Sequence, residues 1–405
     1  MSSITTNIAT KNLAPPVSML KEVRTMALFA ALVGGAGLAV AAFMNFEEFL
    51  RGYLVAYFFV LGLSLGSMVL LMTGHLSGGN WWMLGRRIFE AAARCLPMLA
   101  VLFLPILLGA KHLYSWMSMD PTKDKVLAEK VWWLNHQGWV IRAVIYFAIW
   151  IVLSLLLTRG SFQQDDDPAD RIWRRLKVVS GIGILLYALT LTGAAVDWGM
   201  SLDPHWYSTI YGMIFMIGEA LSTMAFTILI LSALSKYSPM DEVIRPDRLH
   251  DLGKLLLAFT MVWAYFSFSQ WLIIWMANLP DEISWFLYRI KNGWGYVALL
   301  LIFVQFALPF AMLLSRDRKR VASRLIPVAI IVMLGRLIDL YWYFIPNGLP
   351  GQAPPSLHFH WSYLAAVIGL VGIWVAAFMS YLSTRPLLVR TEPMLARLWE
   401  QSHGH

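Results

Sequence analysis

Six charged side chains stand out inside or at the ends of apolar stretches, where a charge is costly and marks either structure or chemistry. Glu90 and Arg94 are four residues apart, and Arg336 and Asp339 three apart, so each pair shares a helical face and can neutralise itself. The first pair lies near the end of its run and reads first as a structural lock. The second lies nearer the middle, where lock and function are both open. Glu219 lies about three turns into its run, with no basic residue nearby in sequence. A carboxylate alone at that depth either takes up and releases a proton, or stays protonated and donates one hydrogen bond to a neighbouring helix. Asp197 closes another run, just before Trp198-Gly199-Met200-Ser201-Leu202-Asp203-Pro204-His205-Trp206. It reads as a solvated helix end in preference to a relay exit. Gln270, Gln305, Tyr187, Thr190 and Thr192 are single polar residues in apolar runs, interhelical contacts that could extend a hydrogen-bonded path. His75, at a helix end, completes the set of proton-path candidates.

The chain offers little for redox chemistry of its own. Cys95 is the only cysteine, which excludes an internal disulfide and a Cys-ligated iron–sulfur cluster, and C-x-x-C-H is absent. The histidines are His75, His112, His136, His205, His250, His358, His360, His403 and His405, none in mid-run. His75 and His112 fall at opposite ends of their helices and cannot share a haem. His358-x-His360 has no carboxylate or Cys adjacent in sequence and reads as a solvated loop pair. No metal, haem or other cofactor is expected on this chain.

The elements that must hold these residues are membrane helices. The chain is 59% hydrophobic and 14% charged, and a lipid-spanning helix needs about 20 apolar residues. Ten runs qualify: 26–43, 53–72, 88–108, 139–157, 178–196, 210–234, 252–279, 294–314, 325–344 and 361–382. The first lacks a small-residue cleavage site and is read as a retained span. The longest loop, Lys111–Gly138, is too short for a domain. Of the 32 Lys and Arg, 22 fall in the N-terminal segment, the C-terminal tail and the loops after even-numbered spans, against 8 in the loops after odd-numbered ones. Both termini are therefore expected on the cytoplasmic side. The net charge of +8 fits a partner of anionic lipid and needs no nucleic acid. Trp81, Trp82, Trp132, Trp133, Trp198, Trp206, Trp275, Trp285, Trp342 and Trp361 lie at span ends and are read as interfacial anchors. Pro97, Pro105 and Pro309 should kink the third and eighth spans.

The membrane part is written twice. Asn135-His136-Gln137-Gly138-Trp139 and Ile290-Lys291-Asn292-Gly293-Trp294 each open a long apolar run. Trp116-Met117-Ser118-Met119-Asp120 matches Trp275-Met276-Ala277-Asn278-Leu279 before them, and Gly193 to Asp197 matches Gly335 to Asp339 after them. Gly62-Leu63-Ser64-Leu65-Gly66-Ser67-Met68 matches Gly218-Glu219-Ala220-Leu221-Ser222-Thr223-Met224 at the start of each unit. The expected fold is all-α and polytopic, with ten transmembrane helices. Helices 2–5 and 6–9 form two tandem four-helix bundles of the same orientation, and helices 1 and 10 flank them. The expected divisions are 1–52 (N-tail and helix 1), 53–207 and 208–346 (the two bundles), and 347–405 (loop, helix 10 and C-tail). Leu63 and Ala194 of the first unit stand where the second has Glu219 and Arg336.

Two motifs carry a family resemblance. One is Gly66-Ser67-Met68 through Thr73-Gly74-His75-Leu76-Ser77-Gly78-Gly79-Asn80-Trp81-Trp82, followed by Arg86-Arg87-Ile88-Phe89-Glu90. The other, more specific, is Asp197-Trp198-Gly199-Met200-Ser201-Leu202-Asp203-Pro204-His205-Trp206-Tyr207-Ser208-Thr209. With ten spans in two bundles, the chain resembles the NrfD/polysulfide-reductase membrane-subunit family, and within it the ActF subunits of alternative complex III. The resemblance covers nearly the whole chain. It implies a non-catalytic subunit of a quinol:cytochrome c (or other acceptor) oxidoreductase, in the inner membrane of a bacterium with a respiratory or photosynthetic chain. Its implied role is structural or in proton translocation. The implied partners are an NrfD-like sister subunit, an iron–sulfur subunit, and multihaem and monohaem cytochrome c subunits, whose clusters and c-type haems carry the electrons from quinol. The sister subunit's outer-side His-and-Arg quinol motif has no counterpart here. Lys111-His112 lies at a similar place with different flanking residues, so no quinone-binding residue is assigned. The alternative reading is a secondary transporter with parallel internal repeats, whose broken helices should recur at matching places in the two units.

Overall fold

A computed structural model of the chain describes residues 13–167, 169–347 and 356–389. The N-tail before residue 13, the loop at 348–355 and the C-tail from residue 390, with His403 and His405, lie outside the described residues. Ten helices are long and apolar enough to cross a membrane: α1 Val17–Met44, α2 Phe46–Ser77, α3 Asn80–Leu108, α4 His136–Asp165, α5 Asp170–Leu202, α6 Tyr211–Leu234, α7 Pro246–Ala277, α8 Trp294–Leu314, α9 Ala322–Phe344 and α10 Trp361–Leu382. All ten expected runs are present, most of them extended by polar turns at their ends. No strand occurs among the described residues. Odd-numbered helices begin at one end of the molecule, called here the N-terminal face, and finish at the opposite face.

Two helices form the centre. About three-quarters of the residues of both α2 and α6 are buried, which fits helices that are apolar all round. α2 packs on α3, α5, α6 and α9, and α6 on α5, α7 and α9. α4 closes against α3 and α5, and α8 against α7 and α9. The α2–α6 crossing runs through small residues: Gly62 faces Glu219, Gly66 backs onto the Glu219 carbonyl, and Thr223 Oγ1 donates to Leu63 O at 3.3 Å. Absence of a Cβ lets the two backbones approach, the usual device where lipid supplies no hydrophobic drive between helices. α1 and α10 use the same device, with the Gly34 and Gly369 backbones in contact, and α10 also packs on α2 and α3.

Proline sets the breaks. α3 is three segments, Asn80–Ala93, Leu96–Leu102 and Leu104–Leu108. Each break lies just ahead of Pro97 or Pro105, because the ring clashes with the carbonyl four residues back and its nitrogen has no hydrogen to donate. Ahead of Pro309, α8 widens into a π-helical stretch at Ile302–Ala307, the other way to relieve that clash. The tryptophans divide. Trp132 is 77% exposed and Trp275 and Trp361 are partly exposed, as interfacial anchors should be. Trp82, Trp198, Trp206 and Trp285 are instead buried. They pack in aromatic clusters such as the 4.4 Å stack of Trp206 on Trp285, so they belong to the core and not to the interface.

Candidate functional site

Four buried polar residues of α5 lie along one stripe. Ser180, Tyr187, Thr190 and Asp197 are spaced seven, three and seven residues apart, which keeps them on one helix face. The stripe rises about 25 Å, close to the thickness of a hydrocarbon core. Each member meets a polar partner on another helix. Ser180 Oγ lies 3.0 Å from His75 Nδ1 of α2. Tyr187 Oη donates to Glu219 Oε2 of α6 at 2.9 Å. Thr190 Oγ1 accepts from Trp150 Nε1 of α4 at 2.9 Å. Asp197 is held by α4 and the loop before it. Among the described residues the hydrogen bonds are continuous neither between Ser180 and Tyr187 nor between Thr190 and Asp197.

Glu219 is not isolated, as its sequence neighbourhood suggested. It is buried under Gly62, bonded to Tyr187, and within electrostatic reach of Arg336, whose guanidinium lies against Gly218. Arg336 Nη1 donates to Asp339 Oδ2 at 2.5 Å, so the expected pair forms. Trp263 Nε1 of α7 adds a bond to the same oxygen at 3.3 Å, and Arg336 sits over the Phe215 ring at 5.3 Å. Gln305, in the π-helical stretch of α8, packs on Gly335 beside Arg336, and neither of its amide atoms has a partner among the described residues. Glu219, Arg336, Asp339, Tyr187 and Gln305 thus converge from four helices. Glu219 and Arg336 are each eight residues from the opposite-face end of their helix, or about 12 Å.

Asp197 corrects the sequence reading. It is fully buried and is not a solvated helix end. Arg142 Nε donates to Oδ2 and Nη2 to Oδ1, both at 2.8 Å; Trp133 Nε1 reaches Oδ1 at 2.8 Å and Tyr146 Oη reaches Oδ2 at 2.9 Å. Four donors from one loop and α4 saturate both oxygens, and the Arg142 fork makes the pair bidentate. Arg142, Trp133 and Tyr146 were missed. The available signal was Arg142 itself, a lone cation just inside one run, with a lone acid at the same end of the next.

Glu90 is the second correction. Its partners are Arg86 Nε at 3.0 Å and Arg87 Nη1 at 2.6 Å, with Ser161 Oγ donating at 2.5 Å. Arg94 is not among them. The helix breaks at Arg94-Cys95, and the Arg94 guanidinium turns to Tyr381, 4.3 Å from its ring centre. Arg87 also pairs with Asp165, and Arg86 reaches Gln164 Oε1 at 2.7 Å, so α3 and α4 are clamped near the N-terminal face. His75 is buried in the same region, edge-on to Trp82 and Trp173. Gln270 stands apart from both clusters and accepts from Ser208 Oγ at 3.1 Å. Thr192 bonds only backward, to Ala188 O at 2.7 Å, and is off the path. His358 is not merely solvated: it lies 3.4 Å from Glu48, which α2 brings to it. Among the described residues no group of three or more His, Cys, Asp or Glu is placed to hold a metal ion.

No family model matches the chain, and no curated protein matches it.

Proposed function

We propose that this chain is a membrane subunit that moves protons within a quinol-oxidising electron-transfer complex of a bacterial inner membrane. The observation that carries the proton part is the Tyr187–Glu219 bond beside Arg336–Asp339. A buried carboxylate with one hydroxyl partner, which can donate to it when charged or accept from it when protonated, and with a nearby cation already committed to another acid, keeps a partner in either form, which is what a relay needs. The α5 stripe gives it polar neighbours toward both faces, His75–Ser180 on one side and Thr190–Trp150 and Asp197 on the other. The electron-transfer setting rests on the two sequence motifs. It brings the sister NrfD-like subunit, iron–sulfur clusters and c-type haems on partner chains, and quinol as substrate of the whole.

The two-bundle reading belongs to the same proposal. Asp197 and Asp339, matched in the repeat, each accept from an indole and an arginine, and the matched Gly193 and Gly335 each lie under a polar side chain of the preceding span. The interruptions in α3 and α8 do not correspond between the units, which counts against a transporter built on paired broken helices. Glu219→Gln keeps the shape and removes the titration. In the native complex this variant should lower the protons moved per electron. An unchanged stoichiometry would remove Glu219 from the path.

A further inference from the structure

Where α3 breaks after Ala93, its first segment ends beside the last turns of α4 and α10, at the N-terminal face. Three guanidinium groups gather there around one ring. From the Phe162 centroid, Arg385 lies 4.4 Å, Arg94 5.3 Å and Arg87 5.8 Å away. Arg87 is neutralised by Glu90 and Asp165. Arg94 and Arg385 are not: among the described residues neither forms an ion pair, and the hydrogen bond of Arg94 is to Thr384 Oγ1 at 3.3 Å. Each guanidinium carries five N–H donors, so most of this capacity faces no acceptor. Arg94, Arg385, Phe162, Tyr381 and Leu382 line a shallow, open notch, backed by Ala91 and by Glu90, whose carboxylate is already paired with Arg86 and Arg87.

Two half-buried like charges on one notch repel each other, and low-dielectric walls strengthen that repulsion. An anion between them converts the cost into attraction, and planar guanidinium forks match phosphate oxygens. The aromatic faces hold both arginines in place from behind. The notch lies where α4 and α10 end and α3 breaks, and its wall includes the buried, apolar Leu382 and Ala91. Ends of lipid-spanning helices are where head groups lie. We propose that this notch binds a phosphate group, supplied by an anionic phospholipid of the leaflet at the N-terminal face. Basic pockets between span ends suit such head groups, and each arginine near the surface contributes about fivefold in affinity.

The test uses the full chain in detergent, with phosphatidylglycerol, phosphatidylcholine and inorganic phosphate as separate probes. Native mass spectrometry should show phosphatidylglycerol bound more tightly than phosphatidylcholine. Arg94→Gln and Arg385→Gln should each weaken the former about fivefold, and Arg24→Gln should leave it unchanged. Equal binding by wild type and both variants overturns the site. A second measurement needs no variant. Arginine-selective dicarbonyl labelling of the wild-type chain should be suppressed at Arg94 and Arg385 by phosphatidylglycerol, and not at Arg318; no suppression overturns the proposal. Equal protection by inorganic phosphate at the same concentration overturns the lipid as its source.

Discussion

Tyr187 of α5 donates to Glu219 of α6 across 2.9 Å, and Gly62 of α2 covers the other side of the same carboxylate. Glu219 therefore has one hydroxyl donor, with the Arg336 guanidinium nearby and committed to Asp339. Tyr187→Phe removes that donor without changing volume. Loss of a hydrogen bond to a charged group is about 1.5–3 kcal/mol, so the proton step should slow by about 10- to 100-fold while the chain still assembles. Solvent-isotope and turnover measurements on the complex decide this; a wild-type rate would mean that Tyr187 only packs.

The Asp197–Arg142 pair gives a thermodynamic test. Asp197→Ala leaves four donors unpaired in a buried site, and Arg142→Ala leaves a buried carboxylate short of its cation. Each should cost roughly 3–5 kcal/mol, read as loss of thermal stability in detergent. The double variant should cost clearly less than the sum, because the two side chains share one interaction. Strict additivity would show that they do not.

Glu90 separates its neighbours. Arg87→Ala breaks a buried pair with Glu90 and Asp165 and should cost several kcal/mol. Arg94→Ala removes a ring contact at the edge of the molecule and should cost under about 1 kcal/mol. The reverse order of midpoints would restore the i,i+4 pairing that the break at Cys95 prevents.

Arg289 fastens the end of α9. It is fully buried, stacks 3.5 Å from the Trp285 ring, and donates to Trp342 O at 3.2 Å, Tyr343 O at 2.8 Å and Asn347 Oδ1 at 2.7 Å. Those carbonyls belong to the last turn of a helix and have no partner within it. Arg289→Ala should cost roughly 2–5 kcal/mol, and Arg289→Lys should recover only part, since an ammonium cannot span the same acceptors. Thermal midpoints of the two variants give the comparison.

A pH effect belongs to the loop before α4. Backbone N–H groups of Leu127 and Val126 hold the Asp124 carboxyl below the usual range, and His205 Nε2 lies 2.6 Å from its other oxygen. A lowered folded value means that the cap's stabilisation is present above about pH 4 and is lost as pH falls through the folded value. Hydrogen-exchange protection across Lys125–Lys130 should therefore drop on acidification. Asp124→Asn, which still caps, should flatten that dependence; an unaltered acid transition would assign it elsewhere.

What the sequence made legible follows from range. Span lengths are set by the bilayer, so ten runs are readable one by one. The breaks ahead of Pro97 and Pro105 are set by a clash four residues away, and Arg336–Asp339 by one helical turn. Glu90 was harder, because Arg86, Arg87 and Arg94 all lie within one turn, and only the break at Arg94-Cys95 turns the last one aside. The partners of Asp197 sit 51 to 64 residues back, and no local pattern specifies them. Tyr187 and Glu219 were each visible as odd polar residues in apolar runs. That they meet depends on the glycines of α2, which let α6 come close.

The Gly34–Gly369 seam has a consequence for biogenesis. It joins two helices made far apart in time, because more than 300 residues separate Gly34 from Gly369. Until α10 is inserted, α1 has no partner for its small-residue face. Synthesis halted after α9 therefore leaves the glycine face of α1 without the α10 backbone that covers it here.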